Sequence, residues 1–127
     1  MKSYTDLEQS KKLAKILPVE TADMCYRIVA HNPNDTHEYQ PYCFVGTLES
    51  DIPCWSLAAL LDILRNRASS IDEDADVSLS SYKNVEWWDL SINNSGLEAV
   101  TKSDIVDACV EMIFTVMIFT LKGNNLI

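Results

Sequence analysis

The sequence predicts an α+β fold: a small antiparallel sheet, formed by a hairpin over 77–92 plus one or two further strands, packed against three helices. Three observations predict it. Apolar residues recur at helical spacing over about 5–17, 53–65 and 103–122; two strand-like runs flank a short polar break at Lys83-Asn84; and 47% of 127 residues are apolar, with only three glycines and four prolines. That length and composition are enough for a real core in a single domain, 1–127, and too hydrophobic for a disordered chain.

The elements follow in order. Over 5–17, Thr5 and Glu8 have the spacing of a capping box, in which each side chain satisfies a free amide at the helix start. Leu7, Ala14 and Leu17 share one face, Glu8 and Lys12 form an i,i+4 pair, and Pro18 stops the helix. Met24 to Ala30 reads as a strand. His31 to Asp51 carries Asn-Pro, Asn-Asp and Gln-Pro turn signals and is expected to be one long, mobile or functional loop.

The second helix is expected to start near Asp51 or Ile52, with Pro53 in its first turn, and to run through Trp55, Leu57, Leu60, Leu61 and Leu64. Asn66 to Asp76 follows as a polar, acidic connection. In the hairpin, a two-residue turn at Lys83-Asn84 pairs Leu79 with Trp88 and Val77 with Leu90. That register turns Trp88 inward and leaves Trp87 on the outer face with Tyr82 and Val85. Asn93 to Gly96 reads as a turn and Leu97 to Val100 as a third strand. The last helix takes Ser103 as its N-cap and Gly123 as its stop signal. Asp104, Asp107, Glu111 and Thr115 form its narrow polar stripe. Beyond them Phe114, Met117, Ile118, Phe119 and Leu121 leave almost no face for water, and a second copy of the chain is the simplest cover.

A net charge of −9 argues against a nucleic-acid partner, which needs clustered Lys and Arg. The run Ile105 to Leu121 is short for a membrane span and holds Asp107 and Glu111, so no membrane partner is expected. MKSYTDLEQSKK has no apolar core of a signal peptide. Cys25, Cys43, Cys54 and Cys109 include no CxxC pair and read as reduced cytosolic thiols.

Three segments, EQSKKLAKILPVETADM, IPCWSLAALLDIL and DIVDACVEMI, resemble in order and spacing a family of small uncharacterised proteins that recurs in gut anaerobes and their mobile elements. The resemblance covers about a third of the chain. It implies a bacterial or phage-borne cytosolic protein and no particular activity.

Four constellations could carry chemistry. Cys25, His31, His37 and Cys43 offer zinc-type donors at six-residue intervals, without the short knuckles of structural zinc sites, and solvated histidines with buried thiols are the favoured reading. Asp72, Asp74 and Asp76 open like a calcium loop, but Val77 and Lys83 occupy the positions of its glycine and bidentate glutamate. Cys54, near the expected second helix start, could be a nucleophile with a loop histidine as base. Asp107 and Glu111, one turn apart, could split acid and base roles. No metal or cofactor is expected.

The leading expectation is a non-catalytic cytosolic interaction protein, a homodimer that binds a protein partner or small ligand through Trp87, Tyr82, Val85 and Trp55. The alternatives are a mobile-element inhibitor that sequesters a host factor or small signalling molecule, and a small enzyme built on Cys54 or on Asp107 and Glu111.

Overall fold

The computed structural model describes residues 1–81 and 86–123. The α+β class and three helices hold, and the strands divide between two three-stranded antiparallel sheets. The chain forms two compact units, Tyr4–Ala59 and Met1–Ser3 with Leu60–Ile127.

The first unit opens with α1, Leu7–Leu13. Its capping box lies one residue later than the Thr5/Glu8 spacing predicts. The Gln9 amide donates to Asp6 Oδ1 at 2.8 Å, and the Asp6 amide donates to Gln9 Oε1 at 3.0 Å. Thr5 is instead fully buried, its hydroxyl 2.8 Å from Ser10 Oγ and accepting from the Trp55 amide at 3.2 Å. A hydroxyl committed to buried partners cannot also cap. The helix also stops four residues short of Leu17, in a run of turns before Pro18.

The expected strand is present as β1, Met24–His31. The expected long loop is not one loop. His37–Tyr42 forms β2, paired antiparallel to β1 from Cys25↔Tyr42 to His31↔His37. The Asn and Pro signals mark only the turn at 32–36, where Asp35 takes φ 62°, a left-handed conformation that Asp tolerates. The other correction is at Pro53. Ile52–Cys54 is a strand, β3, paired with Met24–Tyr26, and the helix starts five residues later than expected. The sheet order is β2-β1-β3, so Pro41 and Pro53 both lie on edge strands, where a missing N–H breaks no ladder. Met24, Tyr26 and Cys54 form a buried cluster against which Tyr4, Leu7, Tyr39 and Ile52 pack.

Helix α2, Leu57–Ile71, takes Ser56 as its cap, the hydroxyl accepting from the Ala59 amide at 3.2 Å. From Leu60 onward it belongs to the second unit, and it runs six residues beyond the predicted end at Arg65. The apolar spacing of Leu60, Ile63, Leu64 and Ala68 explains the extension: all four are buried, so residues written off as a polar connection are a helix with one buried stripe.

The second sheet comprises β4, Val77–Ser81; β5, Trp88–Ile92; and β6, Val100–Lys102, in that order. The hairpin is correct in its faces and wrong in its register by two residues. Leu79 pairs with Leu90 and Val77 with Ile92, and Ser81, rather than Leu79, lies opposite Trp88. A shift of two keeps every side chain on its own face. The expected turn at Lys83-Asn84 lies outside the described residues. Helix α3, Ile105–Gly123, packs on β5 and β6. Its cap is Asp104 rather than Ser103: Asp104 Oδ1 accepts from the amides of Val106 at 2.9 Å and Asp107 at 3.3 Å. Val106, Cys109, Met112, Ile113 and Val116 are buried in the core.

Candidate functional site

The features that could recognise a partner cluster around the start of β5. Period-two alternation sends Trp88, Leu90 and Ile92 to one face, and Leu90 and Ile92 are buried there while Trp88 is half-buried. Trp87, one residue earlier, is 47% exposed. Burying an indole is strongly favourable, so leaving this one in water forgoes about 2 kcal/mol or more. A cleft of about 540 Å³ opens beside it, lined by Met1, Ser81, Glu86, Trp87, Trp88, Ser103 and Asp104.

Ser103 and Asp104, at the start of α3, line the same cleft. Asp104 caps the helix through Oδ1, and its Oδ2 accepts from the Lys2 amide at 2.7 Å. Three hydrogen bonds hold the Asp104 carboxylate in place, and Lys2 Nζ donates to Asp107 Oδ1 beside it at 2.8 Å. Glu86 adds a second acidic residue to the lining. Two indoles with two carboxylates suit a ligand that carries positive charge on an apolar stem, since ring faces and carboxylates both attract cations. The described lining includes no histidine or cysteine.

The other expected binding residues fare differently. Tyr82 and Val85 lie outside the described residues. Trp55 is fully buried: its Nε1–H donates to Thr21 Oγ1 at 2.9 Å and its carbonyl accepts from the Thr5 amide at 2.9 Å. Its apolar neighbours in IPCWSLAALL suggested a greasy helix, but its place after an edge strand makes it a core residue, not a contact residue.

The catalytic alternatives do not assemble. Cys54 ends β3 and is fully buried, its Sγ 3.5 Å from both the Thr5 hydroxyl and the Thr5 carbonyl oxygen. Burial pushes its thiol pKa up, against the hydrogen bond from Thr5. Its strand partner is Met24, seven positions along β1 from His31, a separation of roughly 23 Å at strand rise, beyond reach of any proton transfer. Asp107 and Glu111 share a face as expected, but each holds its own lysine: Lys2 at 2.8 Å and Lys102 at 3.1 Å.

Of the four zinc-type donors only His31 and His37 meet, with Nδ1 atoms 2.9 Å apart. Cys25 is buried near the other end of β1, and Cys43 is exposed. Asp72 makes a local turn, its Oδ1 accepting from the Asp74 amide at 2.8 Å. Among the described residues no three His, Cys, Asp or Glu converge on one point.

At the C-terminal end of α3, Phe114 and Met117 are half-buried, while Ile118 and Phe119 are 49% and 40% exposed; the side chain of Leu121 lies outside the described residues. Among the described residues no helix is long and apolar enough to cross a membrane.

The sequence reading missed two features. One is the carboxylate pair Glu86 and Asp104, whose signal was the acidic residue next to the exposed Trp and the acidic start of the last helix. The other is an apolar hollow of about 100 Å³ in the first unit, where Val19, Val45 and Leu48 remain exposed around Gly46 and Asp51. Comparisons with protein-family models, with curated proteins and with solved structures find no match to this chain.

Proposed function

We propose that this chain is a non-catalytic interaction protein of the cytosol that holds a partner, through a cationic side chain or a small amine, in the cleft beside Trp87. The exposure of Trp87 at the mouth of that cleft is the observation that carries the reading. Aromatic residues left in water at a concave surface are the usual anchors of binding sites. A net charge of −9 adds long-range attraction for a basic partner. The four cysteines, all unpaired and three of them buried, fit a reducing compartment.

The protein works as a homodimer in this reading, with Ile118 and Phe119 of one protomer packed on the same residues of its partner. Two large apolar side chains side by side on a helix surface are costly to leave in water. Native mass spectrometry on wild-type protein and on Phe119→Asp tests both halves. The expected spectra are a dimer for the wild type and a monomer for the variant, each gaining the mass of an added lysine-rich decapeptide. A wild-type monomer removes the homodimer. Peptide adducts that persist unchanged in Trp87→Ala remove the cleft as the binding site.

A further inference from the structure

At the tip of the β1–β2 hairpin, His31 and His37 stand directly opposite one another. The Asn32 amide donates to the Thr36 carbonyl at 2.9 Å, which makes 32 and 36 a hydrogen-bonded position and 31 and 37 the neighbouring non-bonded one. Non-bonded pairs bring side chains closest together. The two rings are perpendicular, at 88°, with centroids 4.6 Å apart, and both residues are exposed. Their Nδ1 atoms are 2.9 Å apart, so one ring donates its Nδ1–H to the other.

From this geometry we infer a surface chelate for a divalent transition-metal ion, with His31 Nδ1 and His37 Nδ1 as the protein ligands and water filling the remaining positions. Imidazole nitrogens suit late first-row divalent ions, and affinity rises through Ni(II) to Cu(II) and falls again at Zn(II), so Ni(II) and Cu(II) are the ions expected to bind best. Binding needs no net loss of a proton. The donor ring gives up its Nδ1 proton, takes one at the solvent-facing Nε2, and both Nδ1 lone pairs turn to the metal.

The hairpin supplies the pre-organisation. Asn32 Nδ2 donates to Thr36 Oγ1 at 3.0 Å, and Thr36 Oγ1 donates to Asn34 Oδ1 at 2.7 Å, so the turn that joins the two histidines is cross-braced. His37 also packs edge-on to Tyr39, with ring centroids 6.3 Å apart. Both ligands thus come from a paired strand segment rather than from a loose loop, which lowers the entropy lost on chelation.

Isothermal titration of the full chain with Ni(II), carried out in a Cys43→Ser background to remove the one exposed thiol, tests the site. The expected result is saturable binding of one equivalent, weakened at least about tenfold by His31→Ala and equally by His37→Ala, with Zn(II) binding more weakly than Ni(II). Circular dichroism of each variant confirms that the fold is intact. A Cu(II) electron paramagnetic resonance spectrum of the same background protein is expected to show coupling to two nitrogens. Ni(II) binding that is indifferent to both histidine substitutions overturns the proposal, as does the absence of saturable binding. A preference for Zn(II) overturns the choice of ion.

Discussion

Replacing Asp51 with asparagine keeps the shape of the side chain and removes its charge. Asp51 accepts from Arg27 Nε at 2.9 Å and Nη2 at 2.8 Å, and from the Leu48 amide at 3.0 Å, while its own side chain is only 3% exposed. The Arg27 hydrogen bonds are the main reason that its pKa falls from an ordinary 3.8 to about 2, against the opposing cost of burial. A displacement of that size corresponds to about 2 kcal/mol of folding stability. The folded-state pKa lies below the unfolded one, so the contribution is complete above about pH 4 and is lost as pH falls through 3 towards 2. Urea melts of wild type and Asp51→Asn at several pH values read it directly. The expected gap is about 2 kcal/mol at pH 7, about 1 at pH 3 and under about 0.5 at pH 2. A gap that stays constant from pH 7 to pH 3 would mean that packing, not charge, does the work at this site. A gap below about 0.5 kcal/mol at pH 7 would refute the charge-assisted pair outright.

Gly46→Ala is expected to destabilise the same corner by about 1–3 kcal/mol in a thermal melt, because a Cβ there would come within 2.7 Å of Asp51 Cβ and 3.1 Å of Cys25 Cβ; an unchanged melting temperature would contradict it. Native protein treated with a thiol reagent at pH 8 is expected to label at Cys43 alone, since Cys25, Cys54 and Cys109 are buried and burial pushes the Cys109 thiol up to about 12. Peptide mapping that finds early label at Cys54 would revive it as a nucleophile. Asp104→Ala is expected to cost about 1 kcal/mol through loss of the α3 cap, read as a lower urea midpoint, whereas Ser103→Ala is expected to leave that midpoint unchanged.

What the residues disclosed and what they hid follow from the physics of each segment. Period-two alternation from Val77 and from Trp88 was readable, so the faces of the second sheet came out correctly, Trp87 outward and Leu90 inward. Alternation does not fix register, because a shift of two keeps every side chain on its face, and the pairing is two residues from the expected one. Pro53 was ambiguous for a plain reason: proline suits both the first turn of a helix and an edge strand, and only the pairing of Cys25 with Pro53 decides between them. The turn residues at 32–36 are only the tip of the β1–β2 hairpin, and residues 37–42 lack the clean apolar alternation that would mark a strand. The thiol and carboxylate candidates were read from spacing alone. Spacing carries no information on depth, which buried Cys54, or on the lysines that hold Asp107 and Glu111. Trp87 was legible as an exposed aromatic with Glu86 beside it in sequence, and the contribution of Asp104 was not, because it comes from a different part of the chain.

The central claim, that the Trp87 cleft receives a cationic group, is tested most directly by the three tryptophan indole N–H signals in an NMR titration with a lysine-rich decapeptide. Trp87 and Trp88 line the cleft and Trp55 is fully buried in the first unit. The account predicts that the Trp87 signal, and to a smaller extent that of Trp88, shifts with added peptide while that of Trp55 stays still, and that a glutamate-rich decapeptide moves none of them. Equal shifts with both peptides, or a titration in which the Trp87 signal never moves, would contradict it.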